Sequence, residues 1–267
     1  MRKVILFAFV GLFIVSCSDK LTSLDGSSPA TTRSVDDGEK EQEPDSIVLS
    51  EKPEIFPYKV KKGSEEWKKM SWAEREDACQ LPEEFIGDAT SYELAMACIE
   101  HPMAFAYVFY MDPTPFISSL IEKNNGFAAL FKKNDGYMEL AKIYEGLELI
   151  EYASEYMYNQ SSVLIYPFIE LVLSHENVIS KFNPEELKWL KSVTYNKYAE
   201  KLAKPDDFGI LNIESSIMLW ATIILRDGTP LTEKEAGLLN LLFDNTGSGI
   251  YVEDFECIIR LLTEKTI

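Results

Sequence analysis

From Ser64 onward the apolar residues return at intervals of three and four. Val252, Phe255, Ile258, Ile259 and Leu262 keep that rhythm, as do Leu238, Leu239 and Leu242, the spacing that puts side chains on one face of a helix. Val163 to Leu173 and Ile217 to Leu225 are apolar all round, which predicts central helices covered by their neighbours. The alternative for the first, which Pro167 interrupts, is a strand. Residues 183–204 have a poor stripe, and their caps argue for a helix better than their periodicity does. Helix starts recur. Ser71-Trp-Ala-Glu74 and Thr232-Glu-Lys-Glu235 have the capping-box spacing, in which a hydroxyl and a carboxylate satisfy each other's backbone amides. Asp112-Pro113 and Asn183-Pro184-Glu185-Glu186 set a cap residue before a proline, the second followed by acids at the positive end of the helix dipole. Gly126 and Gly136 read as helix stops.

No alternating pattern and no Asn-Gly hairpin signal accompanies these features, so the expected fold class is all-α. Roughly nine or ten helices of about 8 to 20 residues, joined by short links, are expected to pair antiparallel. No fixed-period repeat is present, which excludes a consensus TPR or ankyrin array. The architecture expected is an irregular armadillo-like stack of antiparallel helix pairs, with a closed helical bundle as the alternative.

The first seventy residues follow another pattern. Arg2 and Lys3 precede an unbroken apolar run, Val4 to Val15, which ends at Ser16-Cys17. This is the order of an export signal, and at about 12 residues the run is shorter than the roughly 20 that cross a bilayer. Ile14-Val15-Ser16-Cys17 resembles the bacterial lipobox. That resemblance implies that residues 1–16 are removed and that Cys17 becomes an acylated N-terminus, a palmitate-type anchor in the membrane. By the same resemblance Ser18, in place of a retention aspartate, points to the outer membrane, with the periplasmic and outward faces both open. Several acyl chains at about 0.8 kcal/mol per buried methylene make a stable anchor. Residues 17–63 are polar and broken by Gly26, Pro29, Gly38, Pro44, Pro53 and Pro57, with an acidic stretch from Asp36 to Asp45. Such a composition buries too little surface to offset its ordering entropy, and it reads as a flexible tether. Residues 64–267 then form the helical domain, long enough for a sizeable core.

Composition narrows the function classes. The 267 residues are 46% hydrophobic, 12% aromatic and 26% charged, with 26 Lys plus Arg against 44 Asp plus Glu and a net charge of −18. Loss of residues 1–16 removes two cations and no anion, leaving −20. A field of that sign repels phosphate backbones and argues against a nucleic-acid partner. Two histidines and four cysteines leave little material for a metal site, and no cofactor motif is present.

Trp67-Lys-Lys-Met-Ser-Trp-Ala-Glu-Arg-Glu-Asp-Ala-Cys79-Gln-Leu-Pro-Glu-Glu, then Thr90-Ser-Tyr-Glu-Leu-Ala-Met-Ala-Cys98 and His101-Pro102, resemble a segment of secreted proteins and lipoproteins from gut Bacteroidetes. Asn125-Gly-Phe-Ala-Ala-Leu-Phe-Lys-Lys-Asn-Asp135 fits the same pattern, so that the similarity spans residues 67–149. It implies export and an organism group, and carries no activity.

The candidate chemistry is sparse. Cys79 and Cys98 near the ends of consecutive predicted helices are either bridged, closing a loop worth roughly 3 kcal/mol, or two buried thiols; Cys257 falls in the last helix's apolar rhythm as a core thiol. Cys98-x-x-His101 has a ligand spacing but lacks the second dyad that structural zinc uses. His175-Glu176 reads as a cap at a helix end, over the last carbonyls. Asp244-Asn-Thr-Gly-Ser-Gly249 opens like a calcium loop, yet Phe255 stands where the bidentate glutamate belongs. Tyr137, Tyr144, Tyr152, Tyr156, Tyr158 and Tyr166 form the strongest hint of a ligand face. Tyr152 and Tyr156, four apart on one helical surface, suit a sugar ring or a protein partner. The function expected is a non-enzymatic outer-membrane lipoprotein whose helical surface binds a protein or a glycan. The alternatives are an envelope hydrolase working through Asp and Glu, or a structural component of an envelope complex.

Overall fold

The caps read from the sequence are present as hydrogen bonds in the computed structural model, which describes residues 56, 58–147, 161–244 and 252–266. Cys17, Tyr152, Tyr156 and Tyr158 lie outside these residues, as does the whole glycine-rich link after Asp244. Thirteen α-helices and one 310 helix (Ala104–Phe109) follow one another among the described residues, with no strand. The α-helices are α1 (Glu65–Lys69), α2 (Trp72–Ala78), α3 (Glu83–Asp88), α4 (Ser91–Ile99), α5 (Thr114–Lys123), α6 (Asn125–Lys132) and α7 (Gly136–Gly146). After these come α8 (Ser161–Ser174), α9 (Glu176–Ile179), α10 (Pro184–Ala203), α11 (Pro205–Ile224), α12 (Glu233–Asp244) and α13 (Val252–Glu264). The fold is all-α. The number exceeds the sequence expectation because α1 to α3 have only five to seven residues each, too short to repeat an apolar period.

Ser71, Asn183 and Thr232 close reciprocal boxes with Glu74, Glu186 and Glu235, and Thr90 with Glu93 adds one more. Asp112 caps α5 through the Thr114 N–H, at 2.9 Å. The glycines correct the reading. Gly126 and Gly136 stand at helix starts rather than ends, in α6 and α7, and neither has positive φ. Both are sites of close approach: a Cβ on Gly136 would lie 1.9 Å from the Leu130 carbonyl oxygen, and one on Gly126 2.7 Å from a Leu81 methyl.

The body is one unit from Ile55 to Ile267 and so begins earlier than Ser64. Tyr58 and Val60, placed in the tether by sequence, are buried, and the Tyr58 hydroxyl donates to the Ala97 carbonyl at 2.9 Å. Polar neighbours hide these two residues from any composition argument.

Two apolar cores occupy the unit, and every residue of both comes from position 56 or later. The larger takes in Leu94, Phe127, Leu140, Phe168, Ile169 and Leu190 among others. The smaller packs α12 and α13 on α11. The all-round apolar helices are the central ones, as expected: α11 packs most extensively against α10 and α8. It turns Leu219 and Ile223 to the first core and Ile217, Trp220, Ala221 and Ile224 to the second. The α11 ladder breaks at Gly209, whose φ of 65° and ψ of 176° are non-helical and suit glycine alone.

Candidate functional site

The best-formed cleft, of about 300 Å³, opens between α2, the segment after the 310 helix and α5. Trp72 is the first residue of α2, set there by the Ser71–Glu74 box. Its indole N–H donates to Glu76 Oε1, one turn on, at 2.9 Å, which fixes the ring plane. Phe116 is the anchor of the wall: it meets Trp72 edge-on, with centroids 6.2 Å apart, and Tyr110 stacks on it at 5.4 Å and 19°. Phe116 is buried, whereas Trp72 and Tyr110 keep 43% and 45% of their surface exposed. Such pairings hold aromatic rings in place while leaving faces for a ligand.

His101 and Asn124 form the buried floor. Asn124 caps α6, its Oδ1 accepting from the Gly126 and Phe127 N–H groups, and its Nδ2 donates to the Cys79 carbonyl at 3.0 Å. The same Nδ2 lies 3.1 Å from His101 Nε2, and His101 Nδ1 accepts from the Met103 N–H at 3.1 Å. With Nδ1 accepting, the proton of the neutral ring sits on Nε2, and no carboxylate among the described residues pairs with the imidazole. Burial lowers its pKa to about 4, which keeps it neutral. On the rim stand the Ser119 and Tyr110 hydroxyls and the Lys123 ammonium, and Glu76 keeps one carboxylate oxygen free of the indole. The cleft therefore offers aromatic faces with both donors and acceptors around them, the pattern of a small-molecule or side-chain site.

A second cluster is chemically richer and closed. Glu170 on α8 and Lys201 on α10 are both fully buried and paired at 2.7 and 2.8 Å. Glu170 also accepts from Tyr144 at 2.6 Å, Ser215 at 2.5 Å and Ser216 at 2.7 Å. Lys201 Nζ also lies 3.0 Å from the Asn212 carbonyl and 2.8 Å from the Ser216 hydroxyl, so its three protons are shared among four acceptors. Burial lowers the Lys201 pKa against the pull of Glu170, and burial followed by Glu170 raises that of Tyr144. Lysine beside serine is a nucleophile–base pairing in open sites, but no substrate reaches groups of zero exposure. The cluster joins α7, α8, α10 and α11 at one point, and Asn212 Oδ1 is the one buried side-chain atom among the described residues left without a partner.

Other residues singled out by sequence have structural places. Cys79 and Cys98 are free thiols, both buried, and burial pushes Cys79 up to about 12 and Cys98 up as well. Cys257 is free and half-buried. His175 caps the start of α9 through the Asn177 N–H and does not cover the carbonyls of the preceding helix; Glu176 pairs with Arg226. No three His, Cys, Asp or Glu side chains gather as a metal would require among the described residues. Tyr144 and Tyr166 are core residues, and Tyr137 packs edge-on against Phe182 with its hydroxyl on Glu186. Sequence reading missed the cleft itself. Its signal was Phe109-Tyr110-Met111, three bulky apolar residues between a helix end and the Asp112 cap, where a link has no core to bury them.

The chain matches no protein family, no curated protein and no solved structure. Its function is therefore read from this geometry.

Proposed function

We propose that this is an envelope lipoprotein that binds rather than transforms its ligand. Cys17 carries the lipid at the outer membrane, a tether follows it, and the helical body presents the Trp72–Tyr110–Phe116 cleft to a protein or glycan. The cleft is the observation that carries the reading: two half-exposed aromatic rings fixed by a buried third, above a neutral floor. Aromatic rings of this kind dominate binding energetics where they meet a partner. The lipobox resemblance and the likeness of residues 67–149 to exported Bacteroidetes proteins support the location. No helix among the described residues is long and apolar enough to cross a membrane, which is compatible with attachment through an acyl group.

The test is retention. Immobilised protein is exposed to defined glycans and to envelope peptides, beside the Trp72→Ala/Tyr110→Ala variant. Both side chains are half-exposed, so the variant is expected to keep the wild-type melting profile and to lose at least about tenfold in affinity for whatever is retained. Equal retention by the variant, or cleavage of a retained glycan or peptide by the wild type, contradicts the proposal.

A further inference from the structure

The floor of the aromatic cleft carries more donors than the chain around it can use. His101 and Asn124, 2% and 4% exposed, both line it. Asn124 Oδ1 is committed to the Gly126 and Phe127 amides that open α6, so the group turned to His101 is its Nδ2, a donor. One Nδ2 proton goes to the Cys79 carbonyl, and Nδ2 lies 3.1 Å from His101 Nε2. The Met103 amide donates to Nδ1 and thereby sets the imidazole tautomer, which leaves Nε2 as a second donor. Two N–H groups face each other, and neither accepts from the other. Moving the imidazole proton to Nδ1 relieves this pair only by setting it against the Met103 amide.

Buried donors so placed call for an acceptor oxygen from solvent or from a ligand. The rest of the lining narrows what a ligand oxygen belongs to. Both floor residues are almost wholly covered, so the oxygen arrives on the end of a group and not on a chain that passes through. Met103 and Leu120, buried in the same lining, offer apolar surface for a methyl beside it. Charge disfavours an anion. The lining holds one acid, Glu76, against one base, Lys123, and Asp77, Asp112 and Glu122 stand close by in the chain. A terminal, uncharged carbonyl next to a methyl is an acetyl amide. Above it Trp72 and Tyr110 keep exposed ring faces for the C–H surface of a sugar, and Glu76, Ser119 and Lys123 stand where hydroxyls reach them.

We infer that the cleft selects an N-acetylated amino sugar, whose acetyl carbonyl accepts from His101 Nε2 and Asn124 Nδ2 while its ring rests on Trp72 and Tyr110. This rests on the cleft being a ligand site, and it adds which glycan the site takes. It assigns His101 and Asn124 a binding role beside their structural one.

The chain has two histidines, and His175 is not in the cleft lining, so the floor can be read directly in proton–nitrogen correlation spectra of the imidazoles. N-acetylglucosamine added to the whole chain is expected to shift the His101 Nε2 resonance and to leave His175 in place. By calorimetry, glucose and glucosamine, which lack the carbonyl, are expected to bind at least about tenfold more weakly, as is N-acetylglucosamine to His101→Phe. The spectra of the wild type decide the matter if that variant does not fold. An unmoved His101, equal affinity for glucose, or tighter binding of glucuronate or of an unacetylated tripeptide amide overturns the inference. If one of those other probes binds and Trp72→Ala/Tyr110→Ala abolishes it, the cleft remains a ligand site and only the acetyl assignment falls. N-acetylglucosamine binding that leaves His101 unmoved and ignores the Trp72→Ala/Tyr110→Ala change overturns both.

Discussion

Lys201 shows why one residue can be invisible in sequence and decisive in structure. It lies on the buried face of α10 with Leu187, Leu190, Thr194 and Lys197, so two lysines and a threonine interrupt the stripe that would have announced the helix. Its charge is compensated by Glu170 alone. Lys201→Met leaves that carboxylate buried without a cation, and the expected loss is about 3 to 5 kcal/mol of unfolding free energy in urea titration; a loss below 1 kcal/mol would show that the pair is dispensable. His101 carries a pH dependence. Its folded pKa, lowered to about 4 by burial, is below its unfolded value of 6.5. Between those values the unfolded chain takes up a proton that the folded one refuses, so stability is intact above pH 6.5 and declines as pH falls towards 4. The decline attributable to this residue is about 3 kcal/mol. Unfolding measured across that window is expected to fall more steeply for the wild type than for His101→Gln; parallel curves would contradict the neutral floor.

At the scale of elements, what was legible was whatever local chemistry writes. Ser71, Asn183 and Thr232 announce their helices because the cap, the carboxylate three residues on and the orphan amides are one local unit. The all-round apolar stretches announced α8 and α11, since only a helix covered on every side tolerates that composition. Gly126 and Gly136 were misread because glycine permits both left-handed stops and close backbone approach, and sequence does not distinguish them. Here approach decides. Gly136→Ala drives a Cβ against the Leu130 carbonyl, and overpacking of backbone by side chain is expected to cost at least about 2 kcal/mol. A thermal melt with Gly136→Ala close to wild type would refute that contact. His175 was assigned to the wrong helix end because α9 is a single turn that no periodicity marks.

At the scale of the molecule, the class all-α followed from the period of the apolar residues, but the division into two cores on opposite faces of α11 did not. It depends on which side each of two adjacent turns faces, a long-range choice. The start of the body was misplaced for a similar reason: Tyr58 and Val60 are held by partners some forty positions away, such as Ala97. The cleft was likewise hidden, because Trp72, Tyr110 and Phe116 meet only once α2, the 310 helix and α5 have packed. The claim that joins the body to a biological setting is the acylation of Cys17. Metabolic labelling with radioactive palmitate, comparing the wild type with Cys17→Ser in the native host, tests it most directly. The account predicts label on the wild-type protein and none on the variant. A wild-type protein that takes up no label and is recovered in the soluble fraction would contradict it.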